Sequence, residues 1–316
     1  MKFWQHLLLK LRDNQNVYLL TVIENIGSSP GRKGFKMLVS EDGFIFGSIG
    51  GGVMEFSLVE EAKKLLQNDD LKIFLKKQIH QGHKQDGSGM ICSGEQTIVF
   101  HPLDTRNVAI IESILDCLQG NSKGTFTLTP TSINFSNEPL ADKFEYQITS
   151  SQDWSFKEHI GFRSTLYIVG GGHVSVAVSE LFVTLGFHVV VFDNRENLNT
   201  LELNTSAHQK LIINFNEIAN YISEGPESYV AIMTNRYTED KLVLSKLIRN
   251  SFAYIGVLGS TAKLNTMWEV LQKEGITASE LDIVHAPIGL AIKSQTPHEI
   301  AVSIAAEVVK IKNINQ

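Results

Sequence analysis

The nine residues 167–175, Tyr-Ile-Val-Gly-Gly-Gly-His-Val-Ser, carry the clearest binding chemistry in the chain. Glycines at the start of a helix expose backbone N–H groups where the helix dipole is positive, and such a turn attracts phosphate. Gly170 permits a tight turn, Gly171 follows it, and Gly172 lets a phosphate approach bare backbone, with His173 at the mouth. Asp193 lies 23 positions after Gly170, close to where an acid reaches a ribose hydroxyl in a dinucleotide site. The third glycine of the G-x-G-x-x-G fingerprint is Ser175, small enough for a helix to pack on a strand. A second glycine turn, residues 47–52 (Gly-Ser-Ile-Gly-Gly-Gly), also opens a helix, so Gly50, Gly51 and Gly52 can hold an anion for the same reason. Glu55, in that helix's first turn, serves either the dipole or a ligand.

Other residue types extend the possible chemistry. Cys92 stands in residues 89–94 (Gly-Met-Ile-Cys-Ser-Gly), where backbone donors would lower its pKa and make it a catalytic thiol or soft metal ligand. Cys117 falls inside a helical apolar pattern and reads as core. His80, His83 and Asp86 are metal-type side chains, but the glycines among them predict a loop, and no fourth ligand is in view. Thr234, Gly259, Ser260 and His285 each follow an apolar, strand-like run, and Lys263 sits in a first helical turn where it can lean toward an anion.

These residues need elements to hold them. Residues 165–169 read as a buried strand. A helix with Val174, Ala177, Val178, Leu181, Phe182 and Leu185 on one face follows, then a strand over 188–192 ending in Asp193. Further short strands are expected over 209–213, 228–233 and 253–258, with a helix after each polar turn and Thr238 as an N-cap. Thr296, Pro297 and Glu299 form a capping box that opens the last helix. In an open parallel sheet the four turns 170–172, 234–236, 259–260 and 285–289 would gather at one edge, as a ligand pocket requires. Upstream, a strand over 17–24, a hairpin around residues 41–43, the helix after Gly52 and a strand over 96–100 indicate a mixed α+β domain. The Ser/Thr/Asn-rich stretch after Lys123 holds two short strand-like pieces, 125–129 and 144–149, and reads as the end of that domain and a connection. The expected organisation is therefore residues 1–125, a connecting segment over 126–160, and residues 161–316. The expected class is α/β, a C-terminal Rossmann-like, doubly wound parallel sheet plus an N-terminal α+β domain.

Composition bounds the function. A chain of 316 residues with 43% apolar residues can bury two cores. Its net charge of −6, without a basic run, argues against general nucleic-acid binding. Two cysteines cannot build a disulfide framework and suit a reducing cytosol. No apolar run approaches the ~20 residues of a membrane span, and the first twelve residues read as an amphipathic helix. A soluble, cytoplasmic protein without nucleic-acid or membrane partners is expected.

Taken in order, several motifs assemble into one pattern. They are residues 27–30 (Gly-Ser-Ser-Pro), 47–55, 92–94, 170–174, 259–260, 285–290 (His-Ala-Pro-Ile-Gly-Leu) and 296–306. The chain resembles the XdhC/CoxI family of xanthine dehydrogenase accessory proteins over nearly its whole length, least from about 123 to 161. The resemblance implies a factor that holds molybdenum cofactor (molybdopterin), supports its sulfuration and delivers it to a xanthine dehydrogenase-type molybdenum hydroxylase apoenzyme. A cysteine desulfurase is a further partner, and a homodimer is in keeping with the family, though no interface is legible in the residues. On this reading Gly170 to His173 hold the phosphate end and Cys92 faces the metal end. The chain departs from the family pattern at Val53, often Cys, at Asn235, often His, at Thr261 and Ala262, often Arg, and at Ala291, usually Asp. The alternative is an NAD(P)-dependent oxidoreductase that binds NAD(P) or another nucleotide on the Rossmann domain. Against it, no Tyr-x-x-x-Lys pair, Cys–His dyad or His–carboxylate pair is visible in the sequence.

Overall fold

The structure, a computed structural model, describes residues 1–80 and 94–314. The chain divides into two compact units, Met1–Gly161 and Phe162–Gln316.

In the first unit, helix α1 (Lys2–Arg12) precedes strands β1 (Val17–Gly27), β2 (Lys36–Ser40) and β3 (Ile45–Gly47) and helix α2 (Gly52–Gln67). Strands β4 (Phe74–His80) and β5 (Gly94–Leu103) complete an antiparallel sheet in the order β3-β2-β1-β5-β4. Both faces of β1 are buried, so its sequence runs apolar without alternation. Tyr18, Leu20 and Val22 pack with Leu58 and Ala62 of α2. Val17, Leu19 and Ile23 point the other way, into a cluster with Trp4 and Leu7 of α1 and Ile111 and Leu115 of helix α3 (Val108–Gln119). Cys117 belongs to the same cluster, and burial pushes its thiol up, in keeping with a core residue.

The stretch read from sequence as a connection is a folded layer of this unit. Strands β6 (Gly124–Leu128), β7 (Ile133–Ser136), β8 (Phe144–Ser150) and β9 (Asp153–Ile160) form an antiparallel sheet in the order β7-β6-β9-β8. Phe126, Trp154 and Phe156 on its inner face join the core of α1 and α3. The strand-like pieces read at 125–129 and 144–149 are β6 and β8, whereas β7 and β9, which pair with them into a sheet, were not read.

The second unit alternates strand and helix: β10 (Thr165–Val169), α4 (His173–Thr184), β11 (His188–Asp193), α5 (Asn199–Leu203) and β12 (Gln209–Ile212). It continues with β13 (Gly225–Ile232), α6 (Tyr237–Leu247), β14 (Phe252–Val257), α7 (Thr261–Lys273), α8 (Ala278–Leu281) and α9 (Pro297–Ile314). Its five strands are parallel in the order β12-β11-β10-β13-β14. One face buries Ile168, Val191 and Ala231 under α4 and α9, and the other buries Val169, Phe192 and Ile232 under α6 and α7. The expected doubly wound sheet is present, and the strand order reverses at β10, the position where such sheets leave a crevice. Helix α6 starts at Tyr237, ahead of the Thr238 expected as its cap. The Thr296 capping box forms as read, with Glu299 N donating to the Thr296 hydroxyl at 3.2 Å and Thr296 N to Glu299 at 3.1 Å.

Among the described residues, no helix is long and apolar enough to cross a membrane.

Candidate functional site

The C-terminal ends of the parallel strands bring the predicted turns to one edge. Gly170 closes β10 with φ +116°, and a Cβ there would stand 2.5 Å from the carbonyl oxygen of Met233 and 2.9 Å from the Cα of Thr234. The first glycine is therefore required twice, for its backbone angle and for the close approach of the β13 end. Gly171 is buried and confined: Leu198, Leu201 and Asp193 lie 3.1–3.3 Å from where its Cβ would be. Its carbonyl accepts from the Thr200 hydroxyl at 2.6 Å. Gly172 is different. Nothing lies within 4 Å of its would-be Cβ, it is the N-cap of α4, and no side chain caps that helix. His173 beside it is exposed. The open part of the turn is thus Gly172 and the first turn of α4, a fit for the phosphate end of a ligand.

Asp193 does not stand free for a ribose. Its side chain is 1% exposed, and its two oxygens receive four hydrogen bonds. Oδ1 accepts from Arg195 N at 2.9 Å and Arg195 Nε at 2.8 Å, and Oδ2 from Gly171 N at 2.7 Å and Arg195 Nη2 at 2.8 Å. A carboxylate has about four lone-pair sites, so all are taken. Burial pushes this carboxyl up, but the bonds from Arg195 and from the Gly171 and Arg195 amides outweigh it and hold it below its usual range. The expected ribose-binding acid is thus a clamp on the glycine turn. The NAD reading loses the residue that argued for it.

The neighbouring turns are closed in the same way. Thr234 at the end of β13 donates to Asp240 Oδ1 through its amide at 2.9 Å and its hydroxyl at 2.7 Å. Asp240 is fully buried and pairs through Oδ2 with Lys263, so the half-buried lysine expected to lean toward an anion is tied to a carboxylate of the protein itself. Burial pushes the Asp240 carboxyl up against the pull of Lys263 and Thr234. Gly259 and Ser260 open α7, where Ser260 Oγ accepts from Lys263 N at 3.3 Å. His285 extends the sheet edge, bridged in parallel to Gly256.

In the first unit the 47–52 turn also carries an internal acid. Glu55 Oε2 accepts from the Ser48 hydroxyl at 2.8 Å, Ile49 N at 2.8 Å and Gly51 N at 2.9 Å. Gly50 and Gly52 have positive φ, and a Cβ on Gly50 would meet Gly31 N at 2.6 Å, so these glycines serve the backbone path. Glu55 takes the Gly51 amide and Ser48 Oγ the Gly50 amide, two of the three glycine donors expected to serve an anion. Cys92, with His83 and Asp86, lies outside the described residues, so the proposed catalytic and metal-facing thiol has no structural account. Among the described residues no group of three or more His, Cys, Asp or Glu side chains is placed to hold a metal ion.

Sequence reasoning missed the parts played by four residues. Arg195, two residues after the strand-end acid, neutralises it. Leu198 and Leu201 line the glycine turn from a short helix that sequence periodicity does not reveal. Glu307, 22 residues beyond His285, lies beside that histidine, a His–carboxylate pair that only the fold brings together.

A parallel sheet of this order, with a glycine turn at its switch point and an uncapped helix behind it, defines a Rossmann-type ligand-binding domain. Comparison with known proteins gives the family. The profile of the XdhC Rossmann domain matches residues 166–308, and that of the XdhC and CoxI family matches residues 11–74. The chain belongs to the XdhC/CoxI family. It is 27% identical over 293 residues to YqeB of Escherichia coli, covering 92% of this chain but only 43% of that longer protein. It is 23% identical over 320 residues to a Bacillus subtilis protein named as a probable xanthine dehydrogenase subunit, covering 96% and 95% of the two chains. It is 20% identical over 306 residues to the molybdenum cofactor insertion chaperone PaoD of Escherichia coli, covering 96% and 85%. A Bacillus halodurans crystal structure described as a xanthine dehydrogenase shares the fold, with a TM-score of 0.72 at 24% identity over 99% and 96% of the chains.

Proposed function

We propose that this protein is a maturation factor that binds molybdenum cofactor as cargo, supports its sulfuration and passes it to a xanthine dehydrogenase-type molybdenum hydroxylase. The observation that carries the reading is its family membership, with an insertion chaperone among relatives that align over almost the whole chain. The structure adds a physical fit for one end of the cargo. The open Gly172 and the uncapped first turn of α4 suit a phosphate, while the neighbouring carboxylate is already neutralised by Arg195. Bound cofactor would supply the molybdenum–dithiolene chemistry. The chain's part is to hold the phosphate end, with Cys92 offered to the soft metal end.

Mass spectrometry of small molecules released from the purified full chain identifies the cargo, and fluorescence titration with the cofactor measures the affinity. Gly172→Asp has room for its side chain and supplies an N-cap acid that stabilises helices, so the variant is expected to fold with an unchanged or higher Tm. Its negative charge at the phosphate position is expected to weaken binding at least tenfold. Unchanged affinity in both Gly172→Asp and Cys92→Ala sinks the assignment. A thermal-shift panel with NAD and NADP, expected to give no shift, addresses the oxidoreductase reading.

A further inference from the structure

At the β14 edge of the parallel sheet an imidazole, a carboxylate and a phenol meet. His285 N donates to the Ile255 carbonyl at 2.9 Å and its own carbonyl accepts from Val257 N at 3.0 Å, which fixes the backbone as a short added strand. Tyr254 stands two residues before Gly256, hence on the same face, and its ring stacks on the imidazole with centroids 4.6 Å apart and planes 20° from parallel. Glu307, on α9, accepts the Tyr254 hydroxyl at 2.5 Å and Gly289 N at 2.8 Å on Oε2, and its Oε1 lies 3.4 Å from His285 Nδ1. Gly256 is a condition of this arrangement: a Cβ there would sit 2.7 Å from the Tyr254 hydroxyl.

Two of the three groups are pinned. Burial and the adjacent Glu307 push the Tyr254 phenol far above its ordinary range, so it remains a donor. Burial pushes Glu307 up, but hydrogen bonds from His285, Tyr254 and Gly289 hold it below the usual carboxylate range, so it remains an acceptor. An ionised carboxylate offers no proton, so the imidazole nitrogen facing it carries the ring hydrogen. Nε2 then bears the lone pair. The His285 side chain is 36% exposed, whereas Tyr254 and Glu307 are shielded behind it.

We propose that His285 is the proton-exchanging residue of this unit, with Glu307 as the residue that positions it. Its partner is a ligand bearing a weakly acidic O–H, N–H or S–H at the C-terminal edge of the sheet. The ligand's bond to hydrogen breaks with its electron pair staying on the ligand, and the proton forms Nε2–H. The imidazolium so formed is balanced by the Glu307 carboxylate, and the reverse step returns the proton. The assignment does not rest on the identity of the cargo proposed above. It also supplies an acid/base on a strand-end edge where Asn235 provides none.

Diethyl pyrocarbonate acylates an unprotonated imidazole nitrogen, with the site read by peptide mass spectrometry, and long-range proton–nitrogen correlation spectra of the full chain read the tautomer. Wild-type His285 is expected as the Nδ1–H tautomer, and to react at least as fast as His298, whose side chain is 78% exposed. In Glu307→Gln the amide donates toward Nδ1 and shifts the ring to Nε2–H, so His285 acylation is expected to fall at least fivefold with His298 unchanged. An Nε2–H tautomer in the wild-type chain overturns the proposal, as does equal His285 acylation in both proteins. If Glu307→Gln fails to fold, the wild-type spectrum decides alone.

Discussion

Asp193 has the type and position of a ribose ligand, yet its environment makes it a structural acid. All four acceptor sites are filled, two of them by Arg195 side-chain nitrogens and two by backbone amides. Asp193→Asn removes the charge that these donors were arranged around, and is expected to cost about 2 kcal/mol at neutral pH, read by urea denaturation. The pH dependence follows from the direction of the shift. A carboxyl held below its unfolded value of 3.8 stabilises the fold fully above that value, and the contribution is lost as pH falls through the folded pKa. The stability gap between wild type and Asp193→Asn should therefore be constant above about pH 5 and shrink below about pH 4. A gap that stayed flat to about pH 3 would show that Arg195 and Gly171 do not depend on the ionised form. The residue types of this site were legible in sequence, and so was their order. Their partners were not, because Glu307 lies 18 positions beyond Gly289 and Asp193 lies 22 beyond Gly171, separations that only the fold closes.

At the scale of elements, the parallel sheet announced itself. Four of its five strands, β10, β11, β13 and β14, are short apolar runs ended by a glycine or polar turn, since burial on both faces removes the alternation that would blur them, while the edge strand β12 is exposed. The sheet of β6 to β9 was read only as two strand-like pieces, β6 and β8, within a connection, for the converse reason. Its outer positions face solvent, and Ser, Thr and Asn fill them, a composition shared with linkers. The two accounts differ measurably. Phe156 is fully buried on β9, so Phe156→Ala is expected to cost about 3–5 kcal/mol in equilibrium unfolding. A residue in a flexible connection would cost almost nothing when truncated.

At the scale of the molecule, every hydrophobic cluster among the described residues belongs to one unit. The clusters around Leu19 and around Tyr18 lie within residues 1–161, and those around Val169 and Ile168 within 162–316. A unit with its own core on both faces of a sheet has what it needs to fold. Residues 162–316 expressed alone are expected to give a cooperative thermal transition and a far-UV circular dichroism spectrum of mixed helix and strand. A fragment without a cooperative transition would show that its core is incomplete.

The glycine turns of this protein come already furnished with acids: Glu55 at Gly51, Asp193 at Gly171 and Glu307 at Gly289. A small inorganic anion in the cell, arriving at any of them, competes with a tethered carboxylate whose effective concentration no free solute matches. Occupation by stray phosphate or sulfate is thereby discouraged at those three turns. Gly172 has no such acid beside it, so on the function proposed above it is the turn whose selectivity must come from the shape and further contacts of the ligand itself.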